Sequence, residues 1–171
     1  AYRDFWHEFW SRSFVQVSGN VDADYFQHFY YLATYVIAAG AYGDYPFHFI
    51  NGVFRATEDQ TKWSNAYWYW NQRDVYASFL ASNHPELMHG WNRMYSRNFE
   101  ALLAYTVTRY GHDGLWIPET MGWDGSASGT VGSDFTQDIL STATEAALNL
   151  YAEYLHTGDT EFLEDTVYPF L

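Results

Sequence analysis

At 171 residues, 48% of them apolar and only 17% charged, the chain is one domain by length and too rich in buried-type residues for low-hydropathy disorder. Eight Lys+Arg stand against 21 Asp+Glu, a net charge of -13, which argues against a nucleic-acid or anionic-membrane partner. Without cysteine there is no disulfide framework, thiolate metal site or cysteine nucleophile, and no apolar run approaches the ~20 residues that a bilayer crossing needs.

Most of the chain carries helical spacing. Tyr2, Phe5, Trp6, Phe9 and Trp10 share one face of a first short helix. Asp22 or Asp24 is placed to cap a second, whose Tyr25, Phe29, Leu32, Val36 stripe runs to breaks at Gly40 and Gly43. Residues 39–66 read as irregular, with Asn51-Gly52 between Phe47, Phe49 and Val53, Phe54 suggesting a small hairpin.

Helix is predicted again over Tyr67–Ala81. After Asn83-His84-Pro85 a longer one is predicted from Glu86 to Tyr110, with Leu87, Trp91, Met94, Tyr95, Leu102, Leu103 and Val107 inward and Gly111 closing it. Residues 111–133, with six glycines, form a long loop of the kind that often carries function. Asp134 with Gln137 resembles a capping box for a helix whose Phe135, Ile139, Ala143, Ala146, Leu150, Tyr154 stripe faces inward; Gly158 ends it and Asp159 caps the next. The expected class is all-α, built from stacked antiparallel helix hairpins arranged as part of an (α/α)6 toroid.

The start AYRDFWHEFW, with no initiator Met, and the end Tyr168-Pro169-Phe170-Leu171, where Pro169 suits the first turn of another helix, read as an excerpt of a longer chain. The acidic, cysteine-free composition is compatible with a secreted or periplasmic setting.

Three segments carry the candidate chemistry. Glu119 is a lone carboxyl between Trp116 and Trp123 in the long loop. Burial there would raise its pKa as a general acid requires, the alternative being a structural Glu that binds backbone amides. Residues 63–74 gather Trp63, Trp68, Asn71, Gln72 and Arg73. Rings that stack on sugar C–H faces stand there beside planar groups that bind hydroxyls, although the rings would equally serve as core, with Arg73 pairing Asp74 or Glu86. His48 and Asn51 are placed to line a cleft. The histidines show no HxxxH or HExxH spacing, and Asp124-Gly125-Ser126 falls short of a calcium loop, so neither a metal nor an organic cofactor is expected.

Taken together, Phe5-Trp6-His7-Glu8-Phe9-Trp10-Ser11-Arg12-Ser13-Phe14, Phe47-His48-Phe49-Ile50-Asn51-Gly52-Val53-Phe54 ahead of Trp63, and Pro118-Glu119 followed by Asp134-Phe135-Thr136-Gln137-Asp138 resemble the catalytic domain of glycoside hydrolase family 95, the inverting α-L-fucosidase and α-L-galactosidase family. The likeness spans nearly the whole chain, as the N-terminal half of a helical-barrel catalytic domain. It implies an (α/α)6 barrel, a carbohydrate substrate, Glu119 as general acid, and a general-base Asp beyond Leu171. Fucosidases of the family hold the attacking water with two Asn one residue apart. The matching place here reads Tyr69-Trp70-Asn71 and keeps the second alone, which sets this chain apart from the fucosidase pattern. A helical-toroid polysaccharide lyase using Tyr and His, and a non-catalytic carbohydrate-binding module, are the competing readings. The Pro-Glu loop favours the hydrolase.

Overall fold

The structure is a computed structural model and describes residues 1–49, 66–126, 136 and 138–171. It is mainly helical. Helices α1 (Tyr2–Ser11) and α2 (Val21–Ala41) lead into β1 (Tyr67–Trp68) and α3 (Tyr69–Tyr76). A 3-10 turn (Pro85–Leu87), α4 (His89–Arg97), α5 (Phe99–Tyr110), β2 (Thr120–Met121) and α6 (Ser141–Thr157) follow. The chain ends in α7 (Thr160–Phe162), a π-helical turn (Leu163–Val167) and α8 (Tyr168–Phe170), with Pro169 in the first turn of α8. Among the described residues no helix is long and apolar enough to cross a membrane.

Helix α1 places Phe9 in the core and lays Trp6 and Trp10 against Tyr35 and Tyr31 of α2, at ring-centroid distances of 4.9 and 5.3 Å. Asn20, not Asp22 or Asp24, caps α2: its Oδ1 accepts from the Ala23 amide at 3.0 Å. The helix continues through Gly40 to Ala41 and turns a small face inward, Ala23, Thr34, Ala38 and Ala41. The Tyr25, Phe29, Leu32 stripe is solvent-facing, each ring or branch more than half exposed. Periodicity located the apolar stripe and could not say which side of the helix met the core.

Two further boundaries differ from the sequence reading for local reasons. Tyr67 and Trp68 are extended and pair antiparallel with Met121 and Thr120, so α3 begins only at Tyr69; aromatic residues suit a pleated strand at least as well as a helix. The helix expected over Glu86–Tyr110 is broken at Asn98, whose Nδ2 donates to the Met94 carbonyl at 2.7 Å and to the Trp123 carbonyl at 3.1 Å. A side-chain amide that takes a helix carbonyl and a loop carbonyl competes with the backbone ladder and divides the rod into α4 and α5. Of that helix's expected inward set, Val107 is exposed.

Gly111 and Gly158 end α5 and α6 as expected, both with positive φ (74° and 69°) that a side chain would strain. Asp159 caps α7 through a 3.0 Å bond from the Phe162 amide. Helix α6 begins at Ser141, after Ile139, and buries Ala146 and Leu150. The capping pair Asp134 and Gln137, with Phe135, lies outside the described residues, as does the hairpin about Asn51-Gly52.

The core is unusually aromatic. Tyr69, Tyr76, Trp91 and Tyr95 pack with Met94, Leu102, Ile117, Met121 and Leu150; Trp91 lies 4.6 Å from Tyr76 and 5.3 Å from Tyr69, ring to ring. Two of the tyrosine hydroxyls find partners there: that of Tyr76 accepts from the Phe47 amide at 2.6 Å and that of Tyr69 from Asn149 Nδ2 at 2.9 Å. This answers how a chain with 22% aromatic residues has negative mean hydropathy (-0.35): tyrosine supplies area inside while its hydroxyl is hydrogen-bonded.

Candidate functional site

The short ladder β1–β2 joins the Pro-Glu loop to the start of α3 and so positions Glu119. Its carbonyl accepts from the Tyr69 amide at 2.8 Å, continuing the ladder. Its carboxylate Oε1 accepts from the Trp70 amide at 2.6 Å, and Oε2 accepts more weakly from the Thr142 hydroxyl at 3.3 Å. Trp70 stands in the first turn of α3, where helical amides lack internal partners. Glu119 therefore satisfies one of them from a distant part of the chain, the backbone-binding role that the sequence left open beside the acid role.

Glu119 is only 3% exposed. Burial pushes its carboxyl above the ordinary carboxylate value, against the Trp70 amide, the Thr142 hydroxyl and the Arg73 charge, all of which favour the ionised form. The carboxyl that the Pro-Glu motif singles out is thus held in a dry place that favours its proton.

Arg73 leaves the same turn of α3. Its guanidinium lies 4.0 Å over the Trp70 ring and bonds both oxygens of Glu145, at 3.1 and 3.0 Å. The sequence pointed to Asp74 or Glu86 as partner. The observed one comes from α6, 72 residues away, and belongs to the stretch beyond Arg109 that holds eleven acids and no Lys or Arg. A cavity of about 300 Å3 opens beside the pair, with Tyr69, Glu145 and Asn149 in its wall. Glu119 is joined to that wall through Tyr69. Thr142, Glu145 and Asn149 are the residues that sequence reasoning missed; all three sit on α6 with no motif around them.

The remaining candidates separate. Asn71 is half-buried and stands one position after Trp70, whose amide anchors Glu119. Gln72 is not a surface sugar contact: it is fully enclosed, accepting from the Phe49 amide at 3.1 Å and donating to the Phe47 carbonyl, and so ties the 47–49 segment to α3. His48 Nε2 bonds the Ala66 carbonyl at 3.0 Å, with the ring stacked on Phe49. Trp68 is half-buried in β1. The two indoles flanking Glu119 part company: Trp116 is buried and stacked on Tyr105 at 5.4 Å, whereas Trp123 is 58% exposed and meets Tyr45 edge-on at 5.6 Å. Asn51 and Trp63 lie outside the described residues.

A second polar cluster ties α1 down. The buried His84 stacks on Phe9 at 3.9 Å, its Nε2 bonds Ser13 Oγ at 3.0 Å and its Nδ1 lies 3.2 Å from Glu86 Oε1. Glu86 in turn receives both Arg12 nitrogens, at 2.6 and 3.0 Å, and the Tyr42 hydroxyl at 3.1 Å. Burial lowers the His84 pKa, opposed by Glu86. A neutral ring enclosed beneath Phe9 serves as a clamp between α1, the end of α2 and the 3-10 turn. Among the described residues no group of three or more His, Asp or Glu is gathered as metal ligands would be. Compared with family models, curated proteins and solved structures, the chain matches none of them.

Proposed function

We infer that the chain is the N-terminal half of an (α/α)6 helical-barrel catalytic domain whose activity is inverting hydrolysis of glycosidic bonds in oligo- or polysaccharides, with Glu119 as general acid. The observation that supports this most is the enclosed Glu119 carboxyl with its raised pKa, held between a helix-start amide and a hydroxyl. A general acid must keep its proton at the working pH and give it up to the leaving oxygen as the bond breaks. Of its two oxygens, Oε2 is the more loosely held and is assigned to the leaving group.

Inversion needs a second carboxylate roughly 6.5–9.5 Å away on the other face of the sugar, with a water between. Glu145 is occupied by Arg73, and the base is assigned to an aspartate beyond Leu171, as the family resemblance implies. Asn71 orients the water or a substrate hydroxyl, and Arg73 stacked on Trp70 presents a polar rim beside it. Fucose specificity is not assigned, because Tyr69 replaces the first water-binding Asn.

The test is Glu119→Gln in the full-length protein, followed by turnover on α-L-fucosides, α-L-galactosides and plant or algal polysaccharides, with the anomer of the first product read by NMR. Loss of turnover by orders of magnitude with an inverted product in the parent enzyme is expected; full turnover in the variant or a retained anomer overturns the reading. One observation favours a second reading: Glu119 already serves α3 as a cap, which suffices for a non-catalytic sugar-binding module. Sugar-dependent quenching of tryptophan fluorescence with no product on prolonged incubation distinguishes it.

A further inference from the structure

The hydrolase reading leaves the sugar unspecified, and a second groove bears on it. His89, Arg93 and Arg97 recur every four residues on one face of α4 and line a cleft of about 560 Å3 with Asp44, Phe99 and Asp165. In a chain with eight Lys+Arg and a net charge of -13, this cleft sets two arginines against two carboxylates, Asp44 and Asp165, and so lacks the acidic excess of the chain as a whole. Two of the three bases already face carboxylates: Arg93 Nη1 lies 3.2 Å from Asp44 Oδ1, and His89 Nδ1 lies 3.5 Å from Glu153. Arg97 has no carboxylate partner among the described residues. Its Nη2 donates to the Asp44 backbone carbonyl at 2.6 Å, and its guanidinium rests on the Tyr45 ring at 4.4 Å.

That ring is one wall of a corner. Tyr45 and Trp123, 46% and 58% exposed, meet at 87°. The corner is fixed from below, because α4 approaches the 44–45 backbone so closely at Gly90 that an added Cβ would lie 2.9 Å from the Tyr45 carbonyl. It is also joined to the catalytic loop: Asn98, next to Arg97, donates to the carbonyl of Trp123, four residues after Glu119.

We propose that the Tyr45–Trp123 corner, with Arg97 and Arg93, is a subsite for a sugar unit bearing an anionic group, a carboxylate or a sulfate ester; the inference rests on the sugar-binding reading above. A pre-stacked guanidinium is oriented to receive two oxygens at once, and the exposed rings take the sugar's C–H face. The Arg93–Asp44 pair is solvent-exposed on both sides and costs little to open, so Arg93 becomes the second donor when the anion enters.

The test is a tryptophan-fluorescence titration of the full-length protein with three probes of matched length: an oligogalacturonate, a sulfated galacto-oligosaccharide and a neutral galacto-oligosaccharide. At least one charged probe is expected to bind about tenfold or more tighter than the neutral one, the preference shrinking with added salt. Arg97→Gln, checked for an unchanged melting temperature, removes that preference. Trp123→Ala weakens all three probes. Which charged probe leads identifies the anion. Equal binding of charged and neutral probes, or a preference that survives Arg97→Gln, overturns the subsite while leaving the hydrolase reading intact. Binding of none of the three probes likewise overturns the subsite, and turnover on the wider substrate panel then decides the hydrolase reading. Glu119→Gln separates the two in the other direction, losing turnover but keeping the charged-probe preference.

Discussion

Replacing Glu119 by Gln and by Ala distinguishes its proton-donating role from its structural one. Alanine removes the acceptor of the Trp70 amide and of the Thr142 hydroxyl, and each buried polar group left unmatched costs about 1–3 kcal/mol, so the variant should lose roughly 2–6 kcal/mol. Glutamine keeps a carbonyl oxygen for Trp70. Because the folded-state pKa of Glu119 is raised from its ordinary 4.5, the folded protein binds that proton more tightly than the unfolded chain. Wild-type stability relative to Glu119→Gln is therefore greatest at and below pH 4.5 and declines as pH rises towards the folded-state value, by about 1.4 kcal/mol for each pH unit between the two pKa values. Urea unfolding of both proteins at several pH values reads this difference directly. On sugars with poor leaving groups, removing the acid should cost about 10²–10⁴ in turnover, whereas an activated aryl glycoside, which needs little protonation, should lose far less. A wild-type-to-Gln stability difference that is flat with pH, or equal losses on both substrates, refutes the proposal that a neutral buried carboxyl performs the reaction.

Three further outcomes follow from the same geometry. Arg73 lowers the Glu119 pKa, so Arg73→Gln should move the alkaline limb of the pH–activity profile to higher pH while changing stability by less than about 1 kcal/mol, as expected for a partly exposed pair; a limb that stays or moves down contradicts the coupling. The His84 clamp should weaken in acid. Burial lowers the His84 pKa from 6.5, so its contribution is complete above that pH and lost below it. Glu86, which burial pushes up and Arg12, its own backbone amide and His84 together pull below 4.5, loses its contribution as pH falls through its folded value. His84→Gln should therefore flatten the fall in melting temperature between about pH 7 and 5, and an unchanged slope contradicts this. Gln72→Leu should cost roughly 2–4 kcal/mol by urea unfolding, since it strands the Phe49 amide and Phe47 carbonyl; a loss below about 1 kcal/mol contradicts its clamp role.

Helical periodicity, glycine stops and the Asp159 cap were legible because each depends on residues a few positions apart. What the sequence concealed depends on distant partners. The β1–β2 ladder pairs Tyr67 with Met121, and the break at Asn98 needs the Trp123 carbonyl; neither leaves a local mark. Glu119 was singled out because an isolated carboxyl among indoles is a composition anomaly. Thr142, which bonds its carboxyl, and Glu145 and Asn149, which bond Arg73 and Tyr69 nearby, were not, because they are ordinary polar residues of α6 with no motif around them. Gln72 and Trp116 illustrate the reverse: residue types suited to sugar contact that the fold uses for loop anchoring and for packing.

The outward-facing Tyr25, Phe29 and Leu32 of α2 bear on colloidal behaviour. At neutral pH mutual repulsion among molecules of net charge -13 holds such oily ridges apart. Near the isoelectric point, about 4.6, that repulsion vanishes while the ridge persists, so turbidity should set in there before unfolding does, and acid titrations call for dilute protein.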